Sequence, residues 1–178
     1  MVAHRIMIVD DDKNVLNALR RVLSAEGREV ECFADPAEAL RRARVVPFDL
    51  VLSDYRMPGM DGAALLEEIR AMQPESARMI VSAFSDFEAV VSALNRSGIE
   101  RFISKPWDDL DLKQSVKSAL EKRDLLAENR RLAQQLMRLE KALSHQREEL
   151  SRLERENPGI TKVRWAEDGS ILLDDRDL

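Results

Sequence analysis

The sequence predicts an α/β domain built on a parallel sheet, followed by one long projecting helix. Three observations predict it. Short apolar runs alternate with helix-like spacing over the first 106 residues. Proline and glycine fall between these runs, where turns want them. Then, from Asp108 to Asn157, there is no glycine and no proline. Strands alternating with helices of this length imply βαβ units and a sheet covered on both faces.

Arg5–Val9, Glu29–Phe33, Asp49–Ser53, Arg78–Ser82 and Arg101–Ser104 read as five strands. Each is a short run rich in branched or aromatic residues. Between them, Asn14–Ala25, Ala37–Ala43, Ala63–Met72 and Phe87–Leu94 carry apolar residues at helical spacing. Pro36, Pro47, Pro58, Gly59, Pro74 and Gly98 fall in the connections.

The stretch 108–157, if helical throughout, is roughly 75 Å long. One small domain cannot bury such a helix along its length. Its first turns (Leu110, Leu112, Val116, Ala119, Leu120) can close the α/β domain, and the rest must project. The projecting part carries a heptad. With a at 122, 129, 136, 143 and 150 and d at 125, 132, 139, 146 and 153, seven of ten seam positions are leucine. Leu125, Leu132, Leu136, Leu139, Leu143, Leu150 and Leu153 thus predict a coiled coil. Asn129, at an a position, favours a parallel, in-register dimer, because two amides can bond across the axis. The g-to-e′ pairs are poor, and Glu149–Glu154 repels, so a coil of modest stability is expected. The alternative is packing against another domain of a longer chain. Asn157-Pro158-Gly159 stops the helix. Lys162–Ala166 and Ser170–Leu173 flank Asp168-Gly169, which predicts a C-terminal β-hairpin. The expected domains are 1–122, 123–157 and 158–178.

Composition bounds the function. The net charge is −5 over 178 residues. Residues 1–120 carry −4, 121–157 carry +1 and 158–178 carry −2. No segment is strongly basic and no DNA-reading motif is seen, so no direct DNA binding is expected. The longest strictly apolar runs are about four residues, far short of a bilayer span. Asp10 follows the N-terminus too closely for a secretory apolar region. Cys32 stands alone, which excludes a disulfide framework or a cysteine zinc site. A cytoplasmic location, away from membranes, is expected.

Unusual residues gather where strands end. In such sheets ligands bind beyond the carboxyl ends of the strands, near the switch point of the strand order. The first strand ends in Asp10-Asp11-Asp12, the third in Ser53-Asp54, the fourth in Ser82-Ala83 and the fifth in Lys105-Pro106. Crowded carboxylates repel unless a cation sits among them, and hard oxygens suit Mg²⁺ or Mn²⁺. An ammonium and a hydroxyl around such a centre suit a phosphoryl group. Singly, each has a plainer reading. The Asp run can cap the first helix, Asp54 can be a turn residue, and Lys105 a surface cation. Four such residues at four strand ends favour the joint reading.

Val9-Asp10-Asp11, Asp54 with Met57-Pro58-Gly59-Met60-Asp61-Gly62, Ser82-Ala83, and Phe102-Ile103-Ser104-Lys105-Pro106 resemble the motifs of receiver domains. These are the CheY-like phosphoacceptor domains of bacterial two-component response regulators. The resemblance spans about residues 4–122. It implies a flavodoxin-like (βα)5 doubly wound sheet of order 2-1-3-4-5, with the fifth helix extended into the coiled coil. It implies that Asp54 takes a phosphoryl group from a histidine kinase or a histidine phosphotransfer protein. Asp11 would ligate Mg²⁺, Asp10 would help through water, and the Arg56 backbone carbonyl would be a third ligand. Lys105 would pair with phosphoryl oxygens and Ser82 would bond them. Phe102 stands at the switch aromatic position. A cis Lys105–Pro106 bond is implied. Arg56 and Phe84, each two residues past a site residue, would flank attacking water and slow dephosphorylation.

The leading expectation is therefore a phosphorylation-controlled, dimeric signalling module rather than an enzyme with a separate substrate. The residues 95–109 also resemble receivers joined to cyclic-dinucleotide phosphodiesterases, so a receiver fragment of a larger signalling protein is an alternative. A phosphorelay intermediate is another. A phosphatase of the haloacid-dehalogenase type would use an Asp10-x-Asp12 pair, but Lys13-Asn14 does not continue that motif. A passive coiled-coil scaffold would leave the strand-end residues without use.

Overall fold

The computed structural model describes residues 4–24, 28–83 and 98–158. Five strands form one parallel sheet: β1 (Arg5–Val9), β2 (Glu29–Phe33), β3 (Leu50–Asp54), β4 (Ala77–Ala83) and β5 (Arg101–Lys105). Their order is β2-β1-β3-β4-β5, the flavodoxin-like order. The described helices are α1 (Lys13–Leu23), α2 (Pro36–Ala43), α3 (Gly62–Met72) and the long α4 (Asp109–Glu156). The helix expected over Phe87–Leu94, the C-terminal hairpin and Phe84 lie outside the described residues.

The sheet is buried on both faces, and alternation along each strand splits its residues between two layers. Ile6 and Ile8 of β1, Leu50 and Leu52 of β3, and Met79 and Val81 of β4 pack with α1 and with Leu112, Val116 and Leu120 of α4. Met7, Val9, Val51 and Ile80 face the other way, against Ala39 of α2 and Leu65, Leu66 and Ile69 of α3. Each such fully buried aliphatic side chain stabilises the fold by about 1.5–3 kcal/mol.

Local chemistry fixes the connections. Asp12, Asp35 and Asp61 cap α1, α2 and α3, accepting from the backbone N–H of Asn14, Ala37 and Ala64. Pro36 opens α2, where its missing N–H costs nothing. Gln73, after α3, satisfies three backbone groups at once. Its amide oxygen accepts from Phe48 N, and its nitrogen donates to the carbonyls of Ala43 and Val46. It thereby ties the α2–β3 turn to the end of α3.

The chain divides into two units, Met1–Glu128 and Asn129–Leu178. α4 is 48 residues long, about 72 Å at helical rise. Its early residues Leu112, Ser115, Val116, Ala119 and Leu120 are buried. Every predicted seam leucine is exposed in the protomer. Among the described residues, no helix is long and apolar enough to cross a membrane.

Candidate functional site

The switch point lies where β1 is flanked by β2 and β3, so the ends of β1 and β3 open a crevice. Asp10 follows directly on β1, and Asp54 is the last residue of β3. Register brings them side by side, because Val9 pairs with Ser53. Both carboxylates are buried. Lys105, at the end of the edge strand β5, reaches back across β4 and donates to both. Its Nζ lies 2.7 Å from Asp10 Oδ2 and 2.6 Å from Asp54 Oδ1.

The remaining carboxylate oxygens are also held. Asp12 N donates to Asp10 Oδ1 at 2.9 Å, and Arg56 N donates to Asp54 Oδ2 at 2.8 Å. The loop after β3 is shaped by close approach. Gly62 N donates to Tyr55 O at 2.8 Å. A Cβ on Gly62 would lie 2.0 Å from the Asp54 carbonyl oxygen. Only glycine therefore lets α3 start against the backbone that carries Asp54. Gly59 takes φ +81°, a left-handed turn that glycine adopts without strain.

Two carboxylates share one ammonium, so the buried trio carries net negative charge. Burial pushes the Asp10 carboxyl up, and the nearby Asp54 charge adds to this. Hydrogen bonds from Lys105 and Asp12 oppose it without cancelling it. Burial alone would lower Lys105, but its bonds to Asp10 and Asp54 win and raise it. Lys105 thus stays charged.

The structure places the other expected residues at the same edge of the sheet. Ser82 is buried on β4, one residue past Val81, which pairs with Asp54. Phe102 is half-buried on β5, opposite Ile80, and packs against the α2–α3 layer. Asp11 is exposed beside the crevice, and the Arg56 side chain is exposed. The Lys105–Pro106 bond is cis. Asp12 caps α1, accepting from Asn14 N.

The donor chemistry fits a hard divalent ion: buried carboxylate oxygens with excess negative charge, and a third carboxylate at hand. As placed, though, Asp10 and Asp54 converge on Lys105, and Asp11 is exposed. Among the described residues no three acidic, histidine or cysteine side chains converge into one metal-binding group.

Sequence reasoning missed two polar arrangements at the opposite edge of the sheet, where the strands begin. Arg78 is buried near the start of β4, and its Nε donates to Gly98 O at 3.2 Å. His4, Asp49, Arg123 and Asp124 form an ionic network where α4 leaves the sheet. Neither has a motif. Both depend on which residues the topology brings together.

Comparison with known proteins agrees with this architecture. Residues 6–117 match the model of the response regulator receiver domain. The chain belongs to that family. It is 36% identical over 128 residues to the hydrogenase transcriptional regulatory protein HoxA of Cupriavidus necator, covering 71% of this chain and 26% of HoxA. A CheY-like receiver domain protein from Methanospirillum hungatei superposes with a TM-score of 0.65 at 33% identity, over 69% of this chain and 98% of that one. The signal receiver domain of an HD domain-containing protein from Pseudomonas fluorescens gives 0.66 at 31% identity, over 69% and 98%. The chain spans about a quarter of the length of the curated relatives it matches. What the match shows is the receiver domain of response regulators.

Proposed function

We propose that Asp54 is the phosphoacceptor of a two-component relay, taking its phosphoryl group from a histidine kinase or a histidine phosphotransfer protein. The observation that carries this is the buried Asp54–Lys105–Asp10 bridge at the switch point. An Asp54 oxygen attacks the phosphorus of a phosphohistidine. The new P–O bond forms as the P–N bond breaks, and the imidazole departs with the electron pair. Lys105, held at the carboxylate and kept cationic, offsets the charge that arrives on Asp54. Ser82 donates its hydroxyl to the phosphoryl group, and Phe102 repacks as it does so. The exposed Arg56, with Phe84, hinders attacking water. Asp10, Asp11, Asp54 and the Arg56 carbonyl would hold Mg²⁺ or Mn²⁺, which when bound neutralises phosphoryl oxygens.

In this reading residues 1–122 are the receiver, 123–157 the coil and 158–178 a tail. The coil is a parallel homodimer through Leu125, Asn129, Leu132, Leu136, Leu139, Leu143, Leu150 and Leu153. Seven leucines exposed in a row on one helix support this reading, since water-exposed apolar stripes of this regularity are seams. The chain is cytoplasmic and works only on its own phosphorylation state. The phosphatase alternative loses support because Asp12 caps α1.

Incubation with a small phosphodonor and Mg²⁺, followed by intact mass, tests the reading. The wild type should gain one phosphoryl group and Asp54→Asn none. Equal gain in both would place the acceptor elsewhere.

A second reading adds an output domain beyond the receiver, as a transcriptional regulator, or makes the chain a relay intermediate. It is favoured by relatives about four times as long as their matched part, such as HoxA. DNA contact would then lie outside residues 6–117, which themselves carry net negative charge.

A further inference from the structure

One ion pair joins the loop before β5 to the first layer of the heptad. Glu100 Oε2 lies 3.1 Å from Lys122 Nζ. The Glu100 side chain is only 21% exposed, whereas Lys122 is 63% exposed. Glu100 is held in place from behind. Its backbone N–H donates to the Arg78 carbonyl at 2.8 Å. The buried Arg78 guanidinium donates to Gly98 O. Gly98 has φ +60°, and a Cβ there would meet Arg78 at 3.2 Å. Burial pushes the Arg78 guanidinium down, and the Glu100 charge counters this. The carboxylate therefore serves two cations, one buried and one on α4.

Lys122 is the first a position of the seam. In a parallel dimer, equivalent a residues face each other across the axis. Two ammonium groups then meet in a layer that is partly shielded from water, and they repel. A carboxylate already seated beside each one offsets that repulsion.

We propose that Glu100 is part of the dimer interface, a carboxylate that the receiver lends to the first layer formed with a second copy of this chain. The proposal rests on the dimeric reading above. It also gives the receiver a handle on the coil. Glu100 lies two residues before Phe102 on the same segment. A shift of β5 that drew Glu100 from Lys122 would unmask the repulsion and loosen the first layer.

Sedimentation equilibrium on the full chain tests this with Glu100→Gln, Lys122→Gln and the double variant. Glu100→Gln should weaken the wild-type dimer about fivefold at low salt, as two partly shielded ion pairs would. Lys122→Gln should not weaken it. The double variant should match Lys122→Gln, because the carboxylate acts only through the lysine. High salt should erase the difference. A wild-type dimer that Glu100→Gln leaves unchanged overturns the inference and spares the dimeric reading. So does equal weakening by Glu100→Gln in the Lys122→Gln background, which would mark a merely structural role. A monomeric wild type overturns the dimeric reading and the inference with it.

Discussion

The strand-end cluster and the outer part of α4 solve opposite problems. At the strand ends, charge is buried, and every carboxylate oxygen of Asp10 and Asp54 has a donor. Along α4, apolar side chains are exposed, and Leu139 is 62% accessible. Buried charge is tolerated only with partners, and exposed leucine in register is stable only with partners. The first region carries its partners within the chain. The second points to another molecule. The difference separates what a protomer stabilises alone from what association stabilises, and each perturbation below should move one and spare the other.

The largest effect belongs to the seam. Leu139→Ala removes two leucines from one dimer layer, so the dimer should weaken by about 4 kcal/mol. The unfolding of the receiver should not change. Sedimentation and urea denaturation read the two quantities separately. A dimer that survives Leu139→Ala would show that the leucines pack elsewhere.

Next comes the cluster. Lys105→Met leaves two buried carboxylates facing each other and should destabilise the receiver by about 3 kcal/mol at neutral pH. Added Mg²⁺ should restore part of this, because the same oxygens are hard donors. Urea curves with and without Mg²⁺ would show it. No recovery would count against a metal site here. The complementary change has the other sign. Asp10→Asn relieves the sharing of one ammonium by two carboxylates and should stabilise the fold by about 1 kcal/mol at neutral pH while weakening Mg²⁺ binding. The gain should shrink in acid. The Asp10 carboxyl is raised, so its penalty appears only as pH rises past the ordinary value near 3.8. A loss of stability in Asp10→Asn would mean that its hydrogen bonds outweigh its charge.

The same contrast explains what was legible in the sequence. All five strands lie within a residue or so of the runs that predict them, because branched residues buried on both faces leave little freedom. β3 runs to Asp54 and starts at Leu50 rather than Asp49. The Asp49 carboxylate instead accepts from Arg5 N at 2.7 Å and pairs with Arg123. α1 ends at Leu23, with Ser24 as its cap. The strand-end residues were readable because strand ends of one parallel sheet share an edge. Arg78, Gln73 and the Glu100–Lys122 pair were not. Each acts through a partner distant in sequence, which no periodicity encodes.

Asp124 gives the smallest effect and the sharpest contrast with Asp10. Both are aspartates beside a cation, yet their carboxyls shift in opposite directions. Burial is the largest single influence on each. At Asp10 burial wins. At Asp124, where α4 leaves the sheet, hydrogen bonds from Arg123 and His4, each at 2.9 Å, together outweigh it and hold the carboxyl below 3.8. A depressed carboxyl stabilises the fold above its unfolded value and loses that stabilisation as pH falls through the folded value. The wild type should therefore exceed Asp124→Asn in stability at neutral pH, and the gap should close below about pH 4. Asp124 is nearly half exposed, and solvent screens its partners, so the gap should be a few tenths of a kcal/mol and shrink with salt. Urea midpoints across pH, at two ionic strengths, measure it. A gap that widens in acid would mean that burial, not pairing, governs this carboxylate as it does Asp10.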